Sequence, residues 1–246
     1  MKNKLLIIFV LLLTQSCVSQ SEKINGVSFV ASREAVNNNH IQAVININAN
    51  YAAIMPFGFI KNLEHPEITH NTDRQWFGET RKGAKQYSIE LQKKKIKIMI
   101  KPQIWVWRGE FTGLIEMGNE TDLEYAALAE ELKADIFCIG TELEKFIQNR
   151  PTYWSTLIKK IKSVYKGKLT YAANWDEYKR TPFWSALDYI GIDAYFPVSD
   201  SKTPTLVESL EGWEFHKPTI KATSESHKKP ILFTEFGYRS VDFAGR

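Results

Sequence analysis

Short runs of apolar residues alternate along this chain with longer amphipathic stretches. The apolar runs are rich in β-branched side chains and favour strands, whereas the amphipathic stretches have the spacing of helices. This alternation is typical of a domain built on a parallel sheet with helices packed against it. The predicted strands span residues 26–30, 51–56, 96–105, 136–140, 169–174, 189–194 and 231–235, and the predicted helices span residues 33–45, 80–95, 122–132, 153–165 and 205–226. Asp122 and Thr152 are predicted to cap two of these helices.

The connections between these elements differ on the two sides of the predicted sheet. Those that follow the strands are long and rich in Trp, Gly and Asn, whereas those that precede them are short. Long loops at the carboxyl ends of the strands are typical of a (β/α)8 TIM barrel. We therefore predict an α/β fold of this class, with only about seven strands in the chain. Because only eleven residues follow Glu235, we expect the domain, residues 17–246, to be incomplete at its C-terminus.

Two of the apolar runs end abruptly in a glutamate. Glu142 lies in IGTEL (residues 139–143), and Glu235 lies in ILFTEFG (residues 231–237). A carboxylate is costly inside a buried strand and is tolerated where the strand opens into a cleft. In a barrel, active sites form at the carboxyl ends of the strands. We therefore expect the two glutamates to converge as the carboxylate pair of a glycoside hydrolase; the alternative is two strand-end carboxylates in ion pairs.

The first residues have the pattern of a targeting segment. Lys2 and Lys4 form a basic start, and residues 5–13 are uninterrupted apolar residues, too few to span a bilayer. Cys17 follows this region, as in a bacterial lipoprotein signal, where the cysteine becomes the lipidated first residue. We expect residues 1–16 to be a lipoprotein-type signal peptide and the protein to be exported and membrane-anchored, in the cell envelope or at the cell surface. The alternative is ordinary signal cleavage nearby.

Composition narrows the possible partners. The formal net charge of +4 falls to +2 without the two lysines of the targeting segment, so nothing indicates a nucleic-acid partner. No HExxH, GxSxG or glycine-rich phosphate motif is present, and we expect neither a metal nor an organic cofactor. The chain has 7 Trp, 10 Tyr and 14 Phe, whose rings stack on sugars but also fill cores. After Cys17 the remaining cysteine is Cys138, predicted to be a small buried hydrophobe.

Four segments, in this order, resemble glycoside hydrolase family 113: KPQIWVW (residues 101–107), IGTEL (139–143), DYIGIDAYFP (188–197) and PILFTEFGY (230–238). The resemblance extends from about residue 26 to the end of the chain. It implies a clan A (β/α)8 barrel and the activity of an endo-β-1,4-mannanase that acts with retention. In that clan the acid/base glutamate ends the fourth strand and the nucleophile ends the seventh. By position, the resemblance assigns these roles to Glu142 and Glu235.

Further candidates lie on the same predicted strands. The resemblance implies that Tyr195 hydrogen-bonds the nucleophile. Asp193 shares a strand face with Tyr195, and we expect it to bind sugar or a neighbouring cation, or to form an ion pair inside the barrel. Lys101 is unusual in an apolar strand; it would lower the pKa of a nearby carboxylate or donate to a sugar hydroxyl, unless it extends to the rim. The resemblance is incomplete at Thr141, where many clan A enzymes have asparagine.

Aromatic and amide side chains at predicted strand ends and in the adjoining loops are candidate sugar contacts: Trp105, Trp107, Asn174, Trp175 and Tyr238. The tryptophans are interpreted as stacking platforms and Asn174 as an amide that binds sugar hydroxyls. For each of the five, packing beneath a loop is the alternative.

The leading hypothesis from the sequence is an exported, lipid-anchored, retaining glycoside hydrolase that needs no cofactor. Its substrate would be a β-linked polysaccharide or oligosaccharide, with β-1,4-mannan favoured. One alternative is a carbohydrate-binding lipoprotein without turnover, and another is the same chemistry on glucan, xylan or galactan. The expected partners are the polysaccharide and, through the lipid anchor, a membrane.

Overall fold

The computed structural model describes residues 23–63, 65–107, 109 and 120–246, so the predicted signal peptide and Cys17 lie outside the described residues. The described strands are β1 (Gly26–Phe29), β2 (Tyr51–Ile54), β3 (Phe57–Asn62), β4 (His65–Thr69), β5 (Lys97–Ile100), β6 (Gln103–Val106), β7 (Ile136–Thr141), β8 (Lys168–Asn174), β9 (Ile190–Asp193) and β10 (Ile231–Glu235). The described α-helices are α1 (Asn38–Asn46), α2 (Arg81–Gln92), α3 (Glu120–Glu131), α4 (Glu144–Asn149), α5 (Pro151–Val164) and α6 (Leu206–His227). None of these helices is long and apolar enough to cross a membrane.

Seven strands form one parallel sheet, in the order β1-β2-β5-β7-β8-β9-β10. The sheet is curved into a nearly closed barrel with helices around it, which confirms the predicted TIM-barrel class and its seven strands. Parallel neighbours need crossover connections, and helices such as α1, α5 and α6 lie within these connections. All the carboxyl ends of the barrel strands therefore lie on one side.

The register of the sheet brings polar side chains to this side. Asn174 on β8 pairs with Asp193 on β9, and Asp193 pairs in turn with Glu235 on β10. The ladder between β9 and β10 shifts between Phe233 and Glu235, so Glu235 follows a local irregularity of the strand. Such irregularities commonly redirect a side chain next to an active site.

Two groups of apolar side chains pack on opposite faces of the barrel sheet. Successive residues of a strand face opposite sides, so Ile54 belongs to the layer between the strands and the helices, whereas Ala53 does not. The second, smaller group consists of Ala53, Met99, Ile136, Cys138, Ala172 and Leu232. Cys138 is 0% exposed, as predicted. Several members of this group are short, which leaves room beside them for larger polar side chains.

The single strand predicted over residues 96–105 is wrong. β5 belongs to the barrel, whereas β6 pairs in parallel with β3 in a separate three-stranded sheet of order β4-β3-β6. The break falls at Lys101 and Pro102, and proline has no amide hydrogen with which to continue a ladder. β3 and β4 form an antiparallel pair that the hydrophobic pattern did not predict.

The two predicted helix caps are also wrong. α3 already includes Asp122, and α5 begins at Pro151, before Thr152. Proline suits the first turn of a helix because its fixed φ is helical and its missing amide hydrogen is not needed there. The helix predicted from residue 33 begins only after Asn37, whose side chain accepts hydrogen bonds from two amides of the first turn.

Candidate active site

A buried lysine lies among the polar residues at the carboxyl ends of the strands. Lys101 follows β5 directly and is 0% exposed. Its Nζ lies 3.3 and 3.4 Å from the two carboxylate oxygens of Asp193 and also donates to Oε1 of Glu235. Burial alone would lower the pKa of Lys101, but attraction to these two carboxylates outweighs burial and raises it. Lys101 is therefore a cation shared between two acidic residues, and it does not extend to the rim.

Asp193, the last residue of β9, is 1% exposed. Besides its contact with Lys101, its Oδ1 accepts a hydrogen bond of 2.7 Å from the hydroxyl of Thr234. Burial raises the pKa of Asp193 to about 6; the charge of Lys101 opposes this shift and that of Glu235 adds to it. Asp193 thus forms an ion pair inside the barrel, one of the arrangements expected from the sequence. In the described part of the chain, no three His, Cys, Asp or Glu residues are grouped to hold a metal ion.

Glu235 ends β10 beside this ion pair, and its side chain is 22% exposed. Lys101 donates a hydrogen bond to Oε1, and the hydroxyl of Tyr195 donates to Oε2 over 2.6 Å. A carboxylate can accept hydrogen bonds at both oxygens, and both are used here. A cavity of about 500 Å³ between β1 and β10 reaches Glu235 and Tyr195. Glu235 is thus fixed in orientation and partly exposed.

Glu142 lies one residue beyond β7, on the same side of the barrel. Its φ of 52° is in the left-handed region, which is uncommon for a residue with a Cβ. The residue is exposed and lines a cavity of about 300 Å³. Nevertheless, partial desolvation by the surrounding protein, followed by repulsion from Asp193 and Glu235, raises the pKa of its carboxyl to about 7. The negative charges of Asp193 and Glu235 thus add to desolvation in favouring the protonated form of Glu142.

Glu144, two residues further on, is in a different environment. It begins α4 and forms an ion pair with Arg180. The hydrogen bond from Arg180 is the main cause that lowers the pKa of Glu144. Of these two neighbouring glutamates, only Glu142 has an environment that favours a proton near neutral pH.

Two of the predicted sugar contacts are large exposed rings. Trp105 on β6 and Trp107 just beyond it are 54% and 70% exposed. Trp105 lines a cavity of about 300 Å³ together with Gln103, Thr141 and Glu142. Gln103 donates to the hydroxyl of Thr141 over 3.4 Å, so this wall of the cavity is polar. An exposed aromatic ring beside a carboxyl group is suited to stacking on a sugar.

The other three predicted sugar contacts interact with neighbouring protein groups. Oδ1 of Asn174 accepts the amide hydrogen of Trp175 over 2.7 Å. The half-buried ring of Trp175 lies 6.0 Å from that of Phe196 and 6.4 Å from that of His216. The hydroxyl of Tyr238 donates to the carbonyl of Phe196 over 2.8 Å. These contacts are those of loop packing, the alternative considered for each residue.

Sequence reasoning missed three residues of this region. Thr234 supports the ion pair beside Glu235, and a polar residue next to a candidate glutamate was a usable signal. The hydroxyl of Tyr171 on β8 accepts a hydrogen bond from the amide of Leu143, next to Glu142, and donates to Glu177 in the loop after β8. Their only sequence signal was an acidic residue three positions after the end of a predicted strand.

The family model of Glycoside Hydrolase Family 113 matches residues 107–245, which is more than half of the chain and includes Glu142, Asp193 and Glu235. The chain belongs to glycoside hydrolase family 113. The family match confirms the resemblance noted in the sequence and makes the protein a glycoside hydrolase. Lys101 precedes the matched residues, so its place in the site is known from the structure alone.

Solved structures of family 113 enzymes have the same fold. The β-mannanase AaManA from Alicyclobacillus acidocaldarius, in complex with ManMIm, matches with a TM-score of 0.71 at 20% identity, over 89% of this chain and 72% of that one. A complex structure of a family 113 β-1,4-mannanase gives a TM-score of 0.68 at 16% identity, over 85% of this chain and 69% of that one. The β-glucuronidase of Faecalibacterium prausnitzii gives 0.54 at 14% identity, over 82% and 31%. No curated protein matches the chain.

Removal of the buried cation should leave uncompensated negative charge. We expect Lys101→Met to lower the free energy of unfolding by about 3–5 kcal/mol at pH 8, as the loss of one partner of a buried ion pair does. The loss should be smaller at pH 5. Without Lys101 the pKa of Asp193, already about 6 in the folded protein, rises further. Asp193 is then protonated and uncharged at pH 5. The loss of stability therefore develops only as the pH rises and Asp193 must ionise.

Urea denaturation at the two pH values measures both parts of this prediction. Lys94→Met, at an exposed lysine, is the matched control and should change stability little at either pH. A loss that is the same at pH 5 and pH 8, or no larger than in the control, would contradict the pairing of Lys101 with Asp193.

Proposed function

We propose that this protein is a retaining glycoside hydrolase that cleaves β-1,4-mannan, with Glu142 as acid/base and Glu235 as nucleophile. The observation that carries the proposal is the difference between the surroundings of the two carboxyls. Desolvation and nearby negative charge raise the pKa of Glu142 to about 7. Glu235 instead accepts hydrogen bonds from Lys101 and Tyr195. A retaining hydrolase needs this division between one carboxyl that carries a proton and one that attacks as a carboxylate.

In the first step, a carboxylate oxygen of Glu235 forms a bond to the anomeric carbon. The bond from that carbon to the glycosidic oxygen breaks and its electron pair stays on the oxygen, which receives the proton of Glu142. The products are a glycosyl ester on Glu235, an ionised Glu142 and the released sugar chain. Esterification removes the charge of Glu235, and Lys101 remains paired with Asp193.

In the second step, Glu142 takes a proton from water as the water oxygen bonds to the anomeric carbon. The ester bond breaks, and its electron pair returns to Glu235 as the carboxylate. The proton is back on Glu142 and both residues are ready for another cycle. Lys101 and Tyr195 hold the Glu235 oxygens in place through both steps, so little reorganisation is required.

Mannan is the proposed substrate because two of the similar solved structures are those of family 113 mannanases. Trp105 and Trp107 are exposed and would stack on sugar rings along the cleft. Sugar contacts would be fewer at the three residues engaged in loop packing, Asn174, Trp175 and Tyr238. Only their atoms that remain exposed could contact a sugar. We assign the buried Lys101 and Asp193 to holding Glu235, because neither has surface with which to contact a sugar.

Replacement of either glutamate should lower the hydrolytic activity, but to different extents. We expect Glu142→Gln to lower kcat on mannan by about 10²–10⁴, the usual contribution of a positioned acid/base. Glu235→Gln should abolish turnover, because the amide is not a competent nucleophile. The measurement is the release of reducing ends from β-1,4-mannan, with glucan, xylan and galactan tested in parallel.

Glu144→Gln is the matched control for these variants, because Glu144 is also a glutamate after β7 but is paired with Arg180. It should retain activity close to that of the unaltered protein. Wild-type activity in Glu142→Gln or Glu235→Gln would refute the assignment. Binding of mannan without any release of reducing ends would favour the carbohydrate-binding alternative.

The pH profile should reflect the proton on Glu142. Its raised pKa means that the carboxyl is protonated below about pH 7 and loses the proton above it, so kcat/KM should fall as the pH rises through this value. Asp193→Asn removes the neighbouring charge that contributes most to this shift after desolvation, and should move the alkaline limb to lower pH. An alkaline limb at the same pH in both proteins would be evidence against Glu142 as the titrating acid.

Lipid anchoring at Cys17 is also part of the proposal, on the evidence of the sequence alone. In a bacterial host that processes lipoproteins, Cys17→Ser should move the protein from the membrane fraction to the soluble fraction, because the acyl chains supply the membrane affinity. Ser19→Ala, two residues away, is the control and should stay with the membranes. An unchanged distribution of Cys17→Ser would refute the anchor.

A further inference from the structure

The backbone next to Glu142 is held by side chains that the proposed reaction does not use. The amide of Leu143 donates a hydrogen bond of 2.5 Å to the hydroxyl oxygen of Tyr171. That hydroxyl donates in turn to Oε1 of Glu177 over 2.8 Å. The second oxygen of Glu177, Oε2, accepts the amide hydrogen of Asn174 over 3.0 Å. Glu177 thus connects the end of β8 with the residue that follows Glu142.

The hydroxyl of Tyr171 has a fixed position because its ring is tightly packed. The residue is 0% exposed, and its ring lies 5.5 Å from that of Trp154 and 5.6 Å from that of Phe183. Only the hydroxyl hydrogen can rotate. Glu177, itself 2% exposed, accepts this hydrogen and so leaves the oxygen lone pairs available to the amide of Leu143.

This support falls at a strained point of the chain. The left-handed φ of 52° at Glu142 is unfavourable for a residue with a Cβ. Such a conformation persists only when the surrounding structure fixes it. Two hydrogen bonds do so here: the amide of Glu142 donates to the carbonyl of Ala172 over 2.8 Å, and the amide of Leu143 donates to Tyr171. Both acceptors belong to β8.

We propose that Glu177 is a positioning residue, which orients Glu142 through the hydroxyl of Tyr171. This inference rests on the proposed role of Glu142 as acid/base. Because Glu177 accepts the hydroxyl hydrogen of Tyr171, the hydroxyl oxygen is left to accept the amide hydrogen of Leu143. This second hydrogen bond keeps the left-handed turn that directs the Glu142 carboxyl. Without Glu177 the hydroxyl hydrogen loses its acceptor, the bond to Leu143 weakens and the turn relaxes.

The two hydrogen bonds that Glu177 accepts favour its ionised form, and its burial opposes ionisation. Burial raises the pKa of Glu177 to about 7, while the hydrogen bonds from Asn174 and Tyr171 oppose that shift. The negative charge of Glu142 also contributes to raising it. The positioning effect acts through Tyr171 and Leu143 and needs no side-chain hydrogen bond between Glu177 and Glu142.

The dependence of rate on the leaving group separates positioning of the acid from a general structural role. A 2,4-dinitrophenyl leaving group departs without a proton, whereas a phenyl leaving group needs the acid. For Tyr171→Phe and Glu177→Gln, we expect kcat/KM on phenyl β-mannobioside to fall about tenfold to a hundredfold, as misplacement of a catalytic group does. On 2,4-dinitrophenyl β-mannobioside it should change little. Since each ratio comes from one preparation, any unfolded fraction cancels.

Two further variants make the result decisive. Tyr178→Phe, at another buried tyrosine of the same region, should keep the unaltered ratio of the two kcat/KM values. Glu142→Gln should show the same leaving-group dependence as the Glu177 variant, but more strongly. A normal ratio in both Tyr171→Phe and Glu177→Gln, with the dependence present in Glu142→Gln, would overturn this inference alone. A normal ratio in Glu142→Gln would overturn the proposed function, and this inference with it.

Discussion

The arrangement of this site depends on one buried ammonium group. Lys101 has no exposed surface, and an unpaired charge in such a position would cost several kcal/mol. It is stable there because the register of β9 and β10 places Asp193 and Glu235 side by side to receive it. In the sheet order β5 is separated from β9 by β7 and β8, so this contact crosses the interior of the barrel. The short side chains of Ala53, Ala172 and neighbouring interior residues leave the space for it.

The buried Lys101 also gives the two glutamates different surroundings. Glu235 accepts a hydrogen bond from Lys101 and is held at both oxygens. Glu142 is only partly desolvated, and Lys101 lowers its pKa by less than Asp193 and Glu235 raise it. This difference in surroundings arises from where each glutamate lies along the backbone. Glu235 is still part of its strand, but Glu142 lies one residue beyond β7 in a left-handed turn. β8, whose side chains and carbonyls fix that turn, therefore contributes to the site without supplying a reacting group.

Much of this could be predicted from the sequence, because parallel strands that are buried on both faces leave long apolar runs. A glutamate at the end of such a run is conspicuous, which is why the sequence singles out Glu142 and Glu235 as candidates. The break at Pro102 and the caps of α3 and α5 were missed, since apolar patterning does not resolve where a ladder or helix starts. Tyr171 was indistinguishable from a core aromatic residue; its role depends on where its hydroxyl lies, which only the packed structure determines.

The central claim, that Glu235 attacks the sugar while Glu142 supplies the proton, can be tested by trapping the covalent intermediate. Incubation with 2,4-dinitrophenyl 2-deoxy-2-fluoro-β-mannoside, followed by intact mass measurement and peptide mapping, identifies the residue that carries the sugar. The fluorine slows the second step, so the ester should accumulate. One fluoroglycosyl group on the peptide that contains Glu235 is the predicted result. A label on Glu142, or no label on a protein that hydrolyses mannan with inversion of the anomeric centre, would contradict the account.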